Sequence, residues 1–119
     1  MKIHLHVDAQ VATATLDDTA AARDFAALLL LPLTLTLTDY GVIERIADLP
    51  RKLSVTGAPA AHAPQAGELT YYAPWGNLAI FLDSNVRAQG LVRLGRVDTG
   101  LATLKRPGPF RVRIERAPD

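Results

Sequence analysis

The side chains of this chain of 119 residues that could do chemistry fall into three groups. His4 and His6 stand two apart with Asp8 beyond them, so on a strand all three share one face, a spacing at which imidazole and carboxylate can hold a divalent metal. A solvated outer face explains the same pattern, and no metal site is assigned on it. Tyr71, Tyr72, Trp75 and Asn77 lie in GELTYYAPWGNLAIFL, residues 67–82, where Pro74 and Gly76 bracket the single tryptophan at a tight turn. So placed, Trp75 presents a rigid aromatic wall to a ligand, or folds back to plug a barrel end. Of two adjacent strand tyrosines only one can line a given pocket, and Tyr72, beside the turn, is the choice. The third group is Glu44, Arg45 and Arg96. Glu44 and Arg45 project to opposite faces of a strand and are both expected at the surface, because an unpaired buried charge is costly. Arg96 either reaches into a groove beside the turn after it or stays solvated.

Other chemistry is missing from the sequence. No cysteine is present, which removes disulfides, thiolate nucleophiles and cysteine metal sites together. Neither a serine with an acid and base near it in sequence nor a glycine-rich phosphate loop is recognisable. The charge of +1 gives no field to draw in nucleic acid or an anionic membrane, and neither partner is expected. The N-terminal MKIHLHVDAQ lacks the apolar core of a signal peptide, and the apolar run from Ala26 to Leu33 is far below the roughly 20 residues of a membrane helix. A cytoplasmic location is expected.

The elements that must position these groups are mostly strands. Lys2 to Val7 alternates apolar and polar residues, and after the turn Asp8-Ala9-Gln10 the stretch Val11 to Leu16 completes a hairpin. Asp17-Asp18-Thr19 supplies capping oxygens ahead of one amphipathic helix, Ala20 to Leu30, closed by Pro32. Leu33, Leu35 and Leu37 alternate with threonines as a strand, and another is expected over Ile43 to Ala47. Ser54 to Ala66 has little large apolar content and should cross the surface as a long loop, either a plain connector or a site-forming one. Strands follow over Leu69 to Ala73, Leu78 to Leu82 and Gly90 to Val97, then a helical turn, Leu101 to Leu104, and a last strand, Phe110 to Arg116. Arg111, Arg113 and Arg116 would make that strand a charged sheet edge. At 49% hydrophobic and 21% charged, 1–119 reads as one domain with one core.

Two blocks resemble the cyclophilin superfamily. Gly67-Glu68-Leu69-Thr70-Tyr71-Tyr72 followed by Ala79-Ile80-Phe81-Leu82 is similar to the paired central strands of cyclophilins, and Leu94-Gly95-Arg96-Val97-Asp98-Thr99-Gly100 resembles their Phe-Gly-x-Val-x-x-Gly. With LPLTLTL at 31 to 37 and YYAPWGNLAIF at 71 to 81, the pattern looks like the compact bacterial cyclophilin-like family, whose activity is generally unassigned. The resemblance implies a mainly β fold, a closed barrel of about seven or eight strands with one helix capping an end. It also implies that Arg45 is the only candidate for the arginine that an isomerase of that superfamily aims at the proline nitrogen. The Phe-His before that arginine is replaced by Ile43-Glu44, and the glutamine-bearing block after it is not found.

Isomerisation requires lowering a barrier of about 18–20 kcal/mol, with a donor aimed at the amide nitrogen in a dry pocket. The sequence offers at most the donor. The expected function is therefore binding: a small molecule or extended peptide in an aromatic groove, with Trp75 as the wall and Tyr72, Asn77, Glu44, Arg45 and Arg96 around it. Weak peptidyl-prolyl isomerisation through Arg45, or a homo-oligomer contact, are the alternatives. No cofactor is implied.

Overall fold

The computed structural model describes residues 1–118. Period-two patterning produces the strands it predicts. β1 (Lys2–Val7) and β2 (Gln10–Leu16) form a hairpin in which Leu5 faces Ala12, and the turn is tight enough to hold Asp8 at φ 53°. Aspartate is one of the few side chains that tolerates this region. Ile3, Leu5, Val7, Ala12, Ala14 and Leu16 all point inward and are buried. β3 (Leu33–Tyr40), β4 (Glu44–Asp48), β6 (Glu68–Tyr72), β7 (Asn77–Phe81), β9 (Leu91–Thr99) and β10 (Phe110–Arg116) complete a closed antiparallel barrel in the order β1-β10-β3-β4-β7-β6-β9-β2. Closure leaves no unpaired edge in the barrel.

β10 is therefore not a sheet edge, as its arginines suggest from sequence. It pairs with β1 on one side and β3 on the other. Its arginines form the outer, polar half of a strand whose inner half is Phe110, Val112 and Ile114. One of them also ties the helix down: Arg116 Nη2 donates to the carbonyl of Ala26 at 2.7 Å. This contact fastens β10 to the C-terminal end of the helix.

The helix α1 covers Ala20–Ala27, and Leu28–Leu30 continues as a 3-10 turn, so the expected helix over residues 20–30 changes its winding near its end. Thr19 caps it, its hydroxyl accepting from the Ala22 N–H at 3.2 Å. Ala21, Ala22, Phe25 and Ala26 join the barrel core. Its exposed side anchors the chain after β4: Asp24 accepts from Arg51 at 2.8 Å and from the Ser54 N–H at 2.7 Å. These two donors, Arg51 foremost, hold the Asp24 carboxyl below its ordinary range. That tie stabilises the fold above the usual carboxylate pKa and is lost as pH falls through the lowered value.

The long connector 54–66 is more structured than its composition suggests. Within it β5 (Ala61–His62) pairs with β8 (Ala88–Gln89), a two-residue ribbon laid outside the barrel. Segments of two residues carry no readable period, so neither strand is visible in the sequence.

Candidate functional site

β7 is buried along its whole length, Asn77 to Phe81. Its residues nonetheless alternate. Leu78 and Ile80 face the barrel interior, whereas Ala79 and Phe81 join Leu91 in a second, smaller apolar cluster, against which Ile43, Ile46, Tyr72 and Ala88 pack. The outer face of the sheet is thus covered locally. Between this floor and the segment 85–88 lies a pocket of about 170 Å³, lined by Tyr40, Glu44, Ile46, Tyr72, Trp75, Asn77, Phe81 and Asn85 among others. That volume is below the roughly 300 Å³ at which drug-sized sites begin, so the pocket takes one side-chain-sized group.

The hairpin places its aromatic residues at this opening. Trp75 and Gly76 donate their N–H groups to the Tyr72 carbonyl at 3.2 and 2.9 Å, so the turn begins at Tyr72. Trp75 does not plug the barrel; it is 55% exposed. Its ring meets Tyr72 edge-on at 5.3 Å and Tyr40 edge-on at 5.4 Å, with interplanar angles of 81° and 75°. Three rings thus stand together at the mouth, two of them close to perpendicular to the third. Tyr71 points the other way, into the core, where its hydroxyl accepts from the Leu53 N–H at 3.1 Å.

Two polar groups complete the lining. Asn77 is 3% exposed, and its Oδ1 is, among the described residues, the buried side-chain polar atom without a hydrogen-bond partner. An unpaired buried acceptor costs about 1–3 kcal/mol, so something has to offset it. Glu44 carries the only formal charge among the described lining residues, and burial pushes its carboxyl pKa up. A pKa raised in this way helps the fold below the usual carboxylate range, and that help is lost as pH rises through the raised value.

The arginines expected beside this groove lie elsewhere. Arg45 is buried, 5% exposed, contrary to the surface position expected from the cost of burying charge. That cost is met by a set of acceptors at the barrel interior: Nε donates to the Arg106 carbonyl at 3.0 Å, Nη2 to the Lys105 carbonyl at 2.9 Å and Nη1 to the Glu44 carbonyl at 3.2 Å. Asp39, 3.4 Å away, supplies the counter-charge. Arg45 therefore ties the 105–106 segment to β4 on the opposite face from Glu44, and each of its three nitrogens already donates to a backbone carbonyl. Arg45→Ala should lower stability by about 3 kcal/mol, since charge-assisted bonds to the three carbonyls are lost together. Urea unfolding reads this, and a wild-type midpoint would contradict it. Arg96 is solvent-exposed on β9 and does not line the pocket.

A model of the cyclophilin-like family matches residues 5–115, nearly all of the barrel. The chain belongs to the cyclophilin-like family. Among solved structures, it is similar to the solution structure of the hypothetical protein AF2241 from Archaeoglobus fulgidus, with a TM-score of 0.70 and 19% identity over 98% of this chain and 95% of that one. At that identity the likeness is one of fold. No curated protein matches the chain.

This cyclophilin-like barrel also carries a wider cleft, about 500 Å³, between Asp17–Arg23, Thr56–Pro59, His62 and β9. Its charges are internally matched. Glu68, 1% exposed, receives Arg93 Nη1 at 2.9 Å and lies 2.6 Å from His62 Nε2, while Arg93 Nε donates to Asp17 at 2.9 Å. The sequence reading did not single out Glu68, Arg93 or Asp17. The one signal was a charge, Glu68, inside an otherwise apolar strand run, which demands a partner. The His4–His6 face is also occupied differently from expectation. Asp8 leaves it to pair with Arg106 at 2.7 Å, and Glu115 of β10 takes its place, 2.7 Å from His6 and 2.9 Å from Arg113. His4, His6 and Glu115 each offer a ligand atom within 4.8 Å of the others.

Proposed function

We propose that this cyclophilin-like barrel is a binding protein that seats a small molecule, or one residue of an extended peptide, in the pocket framed by Tyr40, Tyr72 and Trp75. The observation that carries this reading is the group of three rings standing at the mouth of a pocket floored by Ala79, Phe81 and Leu91. The rings would cover a ligand's apolar body, and Glu44 and Asn77 are the polar side chains beside it. The wider cleft offers more room, but its Arg93, His62 and Asp17 are already paired, either with one another or with the buried Glu68 behind them. A pocket with an exposed tryptophan at its mouth is the better binding site.

Isomerisation through Arg45 is not favoured, because that guanidinium is held by backbone carbonyls and is absent from the pocket lining. Titrating short peptides and metabolite pools while following the fluorescence of the single tryptophan tests the binding reading. Hits should lose about tenfold or more in affinity on Trp75→Ala, measured by calorimetry because that variant lacks the reporter. A Trp75→Ala protein binding every hit as well as wild type would sink the reading.

A further inference from the structure

We propose that His4, His6 and Glu115 form a binding site for a divalent transition metal of the zinc class, on the outer face of the barrel where β1 meets β10. None of the three lines either of the two openings, so the site is separate from the aromatic pocket. Strand register builds it. His4 and His6 share the outward side of β1 because they stand two apart, and Glu115 of β10 is the direct cross-strand neighbour of His4. Two imidazoles and a carboxylate therefore converge although they come from opposite ends of the chain. Each offers a ligand atom within 4.8 Å of the other two, and all three side chains are half-buried. An ion-pair network alone accounts for His6, Glu115 and Arg113. It does not account for His4, which enters no side-chain hydrogen bond among the described residues yet lies within reach of the same carboxylate.

Donor type and distance set the class of ion. Imidazole favours zinc, copper, nickel and iron, whereas magnesium and calcium take oxygen ligands, so two histidines select against the hard cations. Zinc holds imidazole nitrogen and carboxylate oxygen at about 2.0–2.2 Å, which puts tetrahedral ligand atoms about 3.3 Å apart. His6 Nε2 and Glu115 Oε1, now 2.7 Å apart, need open only slightly to admit the ion, and His4 swings in from no more than 4.8 Å. A set of two histidines and one carboxylate leaves a fourth position for water or an incoming donor. Arg113 bears on the same carboxylate from its other oxygen: Nη1 donates to Glu115 Oε2 at 2.9 Å, while Oε1 faces His6. An outer partner of this kind orients a ligand, but its positive charge weakens the hold on a cation. Lys2, the next cation along this face, donates instead to Asp98. With three ligands and one opposing charge, the expected dissociation constant is on the order of micromolar, weaker than that of closed four-ligand sites.

Calorimetric titration of the tag-free, chelator-treated full chain with zinc chloride, and with magnesium chloride for comparison, tests the site. Zinc should bind one to one, and magnesium should give no saturable binding. His4→Gln and Glu115→Gln should each weaken zinc about tenfold or more. His62→Gln, which removes the histidine outside the cluster, should leave the zinc affinity unchanged. Because the ligands come from β1 and β10, the complete site exists only in the folded chain. Zinc at a hundredfold excess over its dissociation constant should therefore raise the thermal midpoint of the wild type by roughly 5–10 °C. The Glu115→Gln and His4→Gln proteins, shown to be folded by their own melts without zinc, should lose most of that rise. Zinc binding that survives both substitutions, or that His62→Gln abolishes, would place the ion elsewhere and overturn the proposal. Absence of saturable binding up to millimolar zinc would overturn it too.

Discussion

Gly95→Ala is expected to abolish folding or to cost at least about 3 kcal/mol of a total stability of about 5–15 kcal/mol. Gly95 lies where β9 is paired with Leu16 of β2 on one side and Leu69 of β6 on the other. Both ladders are irregular nearby, with register shifts at Thr13/Ala14 and Leu69/Thr70. A Cβ added at Gly95 would fall on the Thr15 carbonyl oxygen and within 2.9 Å of Leu16 Cα. The obstructing atoms are backbone, so no rotamer change relieves the clash, and β2 would have to leave β9. The β2–β9 pairing is one of the joins that close the barrel, so the damage would not remain local. Arg96→Ala, next in sequence and exposed, serves as control and should stay within about 0.5 kcal/mol of wild type. Urea unfolding of the two variants reads the contrast. A Gly95→Ala midpoint equal to that of Arg96→Ala would contradict this account of the barrel seam.

Arg93→Leu should be nearly as damaging, at about 3 kcal/mol. Glu68 is almost wholly buried, and Arg93 is its principal cation and also its link to Asp17. Removing one partner of a buried pair leaves the other charge uncompensated, at about 3–5 kcal/mol, and the partial exposure of Arg93 places this case at the low end. Glu68→Leu combined with Arg93→Leu removes both charges and should recover much of the loss. His62, about a quarter exposed, can turn to water once Glu68 is gone. A double variant whose loss equals the sum of the two singles would show that the residues do not act as a pair.

The strands were legible because their residues obey a period of two over five or more positions, as in Leu33-Thr34-Leu35-Thr36-Leu37. The pocket was legible in part. Tyr72, Trp75 and Asn77 share a hairpin, so local spacing brings them together, and Glu44 joins them because β4 pairs with β7. Tyr40 was not foreseen, since it pairs locally with Glu44 and reaches the hairpin only because β4 in turn pairs with β7. Arg45 was misplaced for a related reason, whereas Arg96 took the solvated one of its two expected positions. Alternation fixes which of two neighbours faces which side, but it does not say that the 105–106 carbonyls wait on the side Arg45 takes. The outer cover of β7 rests on the short pairing of β5 with β8, too brief to leave a pattern.

The binding reading turns on location: which of two openings a ligand enters. Backbone amide shift mapping during titration with the short-peptide and metabolite pools measures this directly. Perturbations are expected at Glu44, Ile46, Tyr72 through Asn77, and Asn85. Perturbations confined to Asp17–Arg23 and Thr56–His62 would move the site to the wider cleft and contradict it.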